Sequence, residues 1–309
     1  MPVMDAQPMA GPLTSAAVFL VFTLEPGGEE TARDLLRDLD GLRRAIGFRA
    51  ASGGLTCVAG IGSDAWDRLY GGKRPALLHP FQELRGPAHT APATPGDLLF
   101  HLRAERQDLC FELARQIHHR LGAHVTLADE THGFRYFDRR DLLGFVDGTE
   151  NPEGEDAVAA ATVGAEDPEF AGGGYAVVQK YLHDLESWNA LPVEAQERAI
   201  GRTKLDDIEL DDKPADAHLS LNVITDEDGE ELEVVRYGMP FGGAANGAGG
   251  LYYLAYARDP RILERMLRNM FLGDGAAEHD RILDFSTAIT GGLFFIPPAG
   301  LLESTDPAP

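Results

Sequence analysis

A chain of 309 residues, 44% hydrophobic and 25% charged, has the composition of a globular protein and room for about two domains of ~150 residues, which excludes general disorder and fibrous repeats. Its 27 basic against 50 acidic residues leave a net charge of −23, a field that repels phosphate backbones and anionic lipid and so argues against nucleic-acid and membrane-surface partners. The apolar run at residues 16–24 is far shorter than the roughly 20 residues of a membrane span, no Lys or Arg precedes Arg33, and Cys57 and Cys110 form neither a metal spacing nor a disulfide framework. A cytoplasmic protein without a signal peptide is expected.

In chain order, residues 18–22 predict a buried strand, and after Pro26-Gly27-Gly28 the positions Ala32, Leu35, Leu36, Leu39 and Leu42 recur at helical spacing. Residues 55–61 and 98–102 predict two more strands. Leu109, Cys110, Leu113, Ala114, Ile117 and Leu121 then form one stripe of a second helix before a strand at 125–127. In the second half, strand-like runs at 175–181, 219–224, 232–236, 251–257 and 293–296 surround a helix beginning near Pro192 and another opened by Asp259-Pro260 and stopped by Gly273. The order β-α-β-β-α-β, met in residues 1–138 and again with insertions in 139–309, predicts an α+β protein of two ferredoxin-like domains with those boundaries. Residues 86–96 and 151–174 read as loops, and the tail 305–309 is expected to fray.

Three places could carry chemistry. Gly144-Phe145-Val146-Asp147-Gly148-Thr149 sets an acid on a turn bracketed by glycines, a geometry that holds a carboxylate at a cavity wall; a plain Asp-Gly turn fits it too. The phosphatase loop Asp-x-Asp-Gly-Thr is excluded because Phe145 stands where that chemistry needs its nucleophile. His218 opens the run 219–224. If the acidic turn 226–229 closes a hairpin, His218 faces Arg236, so an imidazole and a guanidinium would flank one cavity; a satisfied core histidine is the plainer alternative. Arg236, between apolar and Gly/Pro residues, needs a carboxylate or an anionic ligand if buried, a structural ion pair being the plainer case. The other histidines, His89 and His279 among them, show no zinc spacing. The Asp226-x-Asp228-Gly229 stretch fails the calcium-loop template, the Gly-rich stretch 242–250 fails the dinucleotide template, and the acidic run 206–212 reads as a solvated face.

Together, the Gly144 to Thr149 motif, His218 and Arg236-Tyr237-Gly238-Met239-Pro240-Phe241-Gly242 resemble the dye-decolourising peroxidases, most closely the bacterial B-type group. Asp97-Leu98-Leu99-Phe100-His101, Ile200-Gly201-Arg202-Thr203-Lys204 and Asp284-Phe285-Ser286-Thr287-Ala288 extend the resemblance over nearly the whole chain. It implies one haem b per chain, held mainly by the second domain, with His218 as proximal iron ligand and Asp284 as acceptor for its other ring nitrogen. Asp147 and Arg236 would be catalytic on the opposite face, and Arg236, Glu150 and Arg202 would also contact the cofactor. The implied substrates are hydrogen peroxide and a dye-like or phenolic reductant oxidised by one-electron steps, with an acidic optimum set by Asp147 and with self-association by family analogy. Family members commonly carry Asn where this chain has Gly238, so an amide that could hydrogen-bond peroxide or its water is missing. No long extension follows Leu302, so loading into encapsulin shells is not expected. Trp66, Trp188, Tyr252, Tyr253 and Tyr256 are candidates by type for passing electrons to bulky dyes, or ordinary core residues. The competing readings are a haem transport or sensing module on the same scaffold and a cofactor-free acidic interaction protein.

Overall fold

The computed structural model describes residues 5–245 and 248–304; residues 246–247 of the Gly-rich stretch and the tail 305–309 lie outside the described residues. In chain order the first half comprises β1 (Ala16–Leu24), α1 (Glu29–Gly47), β2 (Thr56–Gly62), α2 (Ser63–Leu69), a small hairpin of β3 (Leu84–Arg85) and β4 (Thr90–Ala91), β5 (Leu98–Ala104), α3 (Gln107–Leu121) and β6 (Val125–Phe134). The second half comprises α4 (Gly154–Ala161), β7 (Gly174–His183), α5 (Leu185–Asn189), α6 (Val193–Ile200), α7 (His218–Asn222), β8 (Val235–Arg236), β9 (Met239–Gly242), β10 (Gly249–Ala257), α8 (Pro260–Leu272), β11 (Ser286–Ala288), β12 (Gly292–Ile296) and α9 (Ala299–Glu303).

The principal strands form one antiparallel sheet in the order β6-β1-β5-β2-β12-β7-β10-β8. Numbered within its own half, each set of four reads 4-1-3-2, the ferredoxin-like order expected from the β-α-β-β-α-β reading. The halves join edge to edge where β2 pairs with β12, Phe294 opposite Gly62 and Phe295 opposite Ile61, so each half covers an edge the other would leave open. Both faces of the sheet are covered. On β1, Val18, Leu20, Phe22 and Leu24 enter the core under the helices, while Ala17, Phe19 and Val21 enter a second core with Tyr252, Tyr256 and Phe294. Burial on both faces explains why 18–22 is continuously apolar and does not alternate. The helix α8 begins where the Asp259 side chain accepts from the Arg261 N–H at 2.9 Å and ends at Gly273, whose φ of +76° suits glycine. Trp66, Trp188, Tyr252 and Tyr256 are fully buried core residues.

Three expectations fail in the second half, the first being that residues 151–174, read as loop, hold α4 (Gly154–Ala161). Residues 218–222 are a short helix, and the chain 232–236 contributes only Val235 and Arg236 to the sheet. The acidic turn closes a small hairpin, with Thr225 bridging Glu231 and the Leu232 N–H donating to the Ile224 carbonyl, while Arg236 pairs with Ala255 of β10. His218 and Arg236 are therefore not ladder partners. A helical turn lets His218 reach a buried acid that an extended chain would not meet.

Candidate active site

His218, Asp147, Arg236, Glu150 and Arg202 line one cleft, which encloses about 1140 Å³ with its open mouth included. Asp147 reaches it on a loop turned by Gly144 and Gly148, with φ of +92° and +77°. The Asp147 N–H donates to the Arg139 carbonyl at 2.9 Å, and the Arg140 guanidinium donates to the Gly144 carbonyl at 2.9 Å. Arg236 is tied to the same loop by one amide: Asn151 Nδ2 donates to its carbonyl at 2.7 Å and its N–H donates to Asn151 Oδ1 at 2.8 Å. That clip brings two segments 85 residues apart to one wall.

Asp147 Oδ2 is buried without a hydrogen-bond partner. Burial holds its carboxyl above the ordinary value, against the pull of the Arg236 guanidinium. Gly238 makes room for it: a Cβ there would stand 2.2 Å from Asp147 Oδ2 and 3.2 Å from its Cγ. Where the resemblance expects Asn, the space beside residue 238 is thus filled by the acid itself.

His218 lies deep in the molecule, yet 37% of its side chain is accessible because it faces the cleft. Its Nδ1 is 2.6 Å from Oδ2 of Asp280, a carboxylate with no exposed surface. Burial alone would lower the imidazole pKa; the charge and hydrogen bond of Asp280 overcome this and raise it. Asp280 is itself held by the Ile282 N–H at 3.0 Å and Asn222 Nδ2 at 3.2 Å. The expected acceptor, Asp284, is elsewhere: it meets His89, His279 and Arg281 at the far end of the 3-10 turn Arg281–Asp284. Asp280 caps that turn and points inward, whereas Asp284 ends it and points out. A turn-capping Asp before Arg281-Ile282-Leu283 was the available sequence signal.

Asp141 and His183 also line the cleft, and sequence reasoning missed both. Burial, reinforced by the charge of Asp147, pushes the Asp141 carboxyl up to about 7. Burial lowers His183 to about 4 and so keeps it neutral; its Nδ1 lies 2.7 Å from Ser286 Oγ. Arg202 pairs with Glu150 and, at 2.9 Å, with Asp207.

These residues fit a haem. One imidazole has Nδ1 committed to a buried acid and no hydrogen bond to Nε2 among the described residues, Leu219, Leu251, Met266, Leu267 and Met270 supply apolar wall, and Arg202 supplies a cation for an acidic substituent.

The comparisons agree. The family description Dyp-type peroxidase, N-terminal, matches residues 6–135, and Dyp-type peroxidase, C-terminal, matches residues 138–300. A protein of Mycolicibacterium paratuberculosis named dye-decolorizing peroxidase is 61% identical, over 100% of this chain and 88% of its own length. The structure of the encapsulated DyP-type peroxidase from Mycobacterium smegmatis is 61% identical with a TM-score of 0.96, covering 99% of each chain. A Rhodococcus jostii RHA1 DypB variant in complex with heme is 52% identical with a TM-score of 0.95, over 97% of this chain and 98% of that one.

The chain belongs to the Dyp-type peroxidase family. It is a haem peroxidase, whose substrates are a peroxide and a reductant, and the transport or sensing alternative is not favoured. The encapsulated relative stands in mild tension with the expectation against shell loading. Among the described residues no helix is long and apolar enough to cross a membrane.

Proposed function

We propose that the cleft would hold haem b through His218 Nε2, and that Asp147 and Arg236 act on hydrogen peroxide in the same cleft. The observation that carries this reading is the His218–Asp280 pair. A wholly buried carboxylate at 2.6 Å fixes the ring through Nδ1 and makes Nε2 the more basic donor. Bound there, the haem supplies the redox centre through which peroxide receives a pair of electrons from the reductant. Asp147 takes the proton from one peroxide oxygen and returns it to the other, for which a carboxylate with an unpartnered buried oxygen is suited. Arg236 stabilises the negative charge on the departing oxygen with a cation that does not titrate in the working range. Arg202, paired with Glu150 at the cleft wall, would offer its cation to an acidic group of the cofactor.

Dye-like and phenolic compounds are the proposed reductants, giving up one electron at a time. The chain divides functionally at residues 138/139, with the haem held mainly by the later part, from which His218, Arg236 and Asp280 come. A cytoplasmic location is supported by the free, buried Cys57 and Cys110, and self-association by the family resemblance. Reconstitution with haemin, followed by the Soret band and by turnover of peroxide with a dye, tests the assignment. His218→Ala is expected to lose both the native spectrum and haem affinity; an unchanged spectrum and affinity would remove His218 from the iron.

A further inference from the structure

Outside the cleft the fold gathers a second set of donor atoms. His89 sits in the turn of the β3–β4 hairpin, where the Gly86 N–H donates to its carbonyl at 2.9 Å. His279 comes from the segment that leaves α8, and Asp284 ends the 3-10 turn that follows. His89 Nε2 lies 3.1 Å and His279 Nε2 3.0 Å from the same oxygen, Asp284 Oδ1. The two rings stand edge to face with centroids 4.7 Å apart, and the three ligand atoms all lie within 4.8 Å of one another. The other carboxylate oxygen, Oδ2, faces Arg281 Nε at 3.3 Å. Side-chain accessibilities of 23%, 22% and 35% leave the cluster open to solvent ions.

We propose that His89, His279 and Asp284 form a binding site for a divalent first-row transition cation of the Zn²⁺ class. Two imidazoles and one carboxylate are a donor set for that class, too nitrogen-rich for Ca²⁺ or Mg²⁺ and lacking the thiolates of a softer site. The spacing fits as well: a cation about 2.0–2.1 Å from each donor gives ligand edges of about 2.9 Å at octahedral and about 3.4 Å at tetrahedral angles. The 3.0 and 3.1 Å edges from the two rings to Asp284 fall between these, and the ring-to-ring edge, which lies within 4.8 Å, closes by side-chain rotation on binding. Without a cation, both rings must donate N–H to one oxygen; the cation replaces those two protons. The remaining coordination positions are open and take water. Once bound, the cation ties the β3–β4 hairpin to the turn whose cap, Asp280, supports His218, so it stiffens that support from outside the haem cleft.

The test is calorimetric titration of EDTA-treated holoenzyme with ZnCl₂. One Zn²⁺ per chain is expected, with a Kd of order micromolar at neutral pH. His89→Ala and His279→Ala should each weaken it at least ~10-fold while leaving the Soret band in place. If either fails to fold, His279→Gln, which keeps the bulk, is titrated in its stead. The proposal is overturned if no saturable uptake occurs up to about 1 mM. It is equally overturned if His89→Ala and His279→Ala, or His279→Gln in their place, bind within about twofold of the parent, which would put the cation elsewhere on this acidic surface.

Discussion

Asp280 and Asp284 lie on one short turn, four residues apart, and the structure gives them opposite surroundings. Replacing Asp280 by Asn removes the negative charge behind His218 and leaves one acceptor oxygen where the ring uses Oδ2 and the Ile282 N–H uses Oδ1. A hydrogen bond of this kind, 2.6 Å long with its acceptor wholly buried, belongs to the charge-assisted class worth about 1.5–3 kcal/mol. At about 1.4 kcal/mol per decade that is roughly 10- to 150-fold, in line with the ~10–100-fold attached to outer partners of ligating histidines. Asp280→Asn should therefore lose about 10–100-fold in haem affinity or in kcat/KM for peroxide. Asp284→Asn, whose partners are His89, His279 and Arg281, should stay within about twofold on both. Haemin titration of the two apoproteins followed at the Soret band, with steady-state turnover of the reconstituted enzymes, compares them directly. If Asp284→Asn costs as much as Asp280→Asn, the support of His218 has been assigned to the wrong acid.

The distal wall supplies three more expectations. Arg236→Leu should lower kcat/KM for peroxide by about 10²–10³, the usual cost of losing a charge-stabilising group, and a loss under about threefold would remove it from the reaction. Asp147 must be ionised to act as a base, and burial raises its pKa, so the rate falls as pH drops through a value above the ordinary ~3.9. Asp147→Asn should abolish that acid limb, and Arg236→Leu, by removing the cation that pulls the pKa down, should move the limb upward. A parent profile peaking above about pH 8 would exclude Asp147 as proton carrier. Gly238→Ala places a Cβ 2.2 Å from Asp147 Oδ2 and forces the carboxylate back by about 1 Å. Since that oxygen is the free end of a side chain, melting temperature should change little while kcat/KM for peroxide falls by up to ~10²-fold; unchanged kinetics would show that the position of the carboxylate does not matter.

The fold was largely legible because ferredoxin-like halves announce themselves through order and length, the stripes of α1 and α3 fall on the predicted apolar positions, and α8 starts and stops at the predicted Asp259-Pro260 and Gly273. The stretch 218–236 was not. Residues 219–224 are apolar enough for a strand, but the backbone coils into a turn of helix in which the Asn222 amide donates to the His218 carbonyl at 2.8 Å and to Asp280 Oδ2 at 3.2 Å. An apolar run of that length does not distinguish the two states, and a contact 62 residues away decides between them. The same limit explains the wrong acid: Asp284 sits in the recognisable Asp284 to Ala288 stretch, whereas Asp280 is marked only by its capping position.

The two walls of the cleft are built independently. Asp280 and α7 hold His218, with the Arg281 N–H donating to the Asp216 carbonyl at 2.9 Å and the Asp280 N–H to the Met270 carbonyl at 2.8 Å. Asp147 and Arg236 are joined through Asn151 and the glycine-bracketed loop, and β8 lies at the end of the sheet. Each wall can therefore be tuned by local substitution while the other keeps its geometry, because among the described residues no hydrogen bond or ion pair links His218 directly to Asp147 or Arg236. What joins them is charge alone: Arg236 and Asp147 both act on the His218 ring, the first lowering and the second raising its proton affinity, after the larger effects of burial and Asp280. Gly238 bears on one wall only: the Asp147 carboxylate occupies the space its Cβ would take, while the imidazole opposite is held by Asp280.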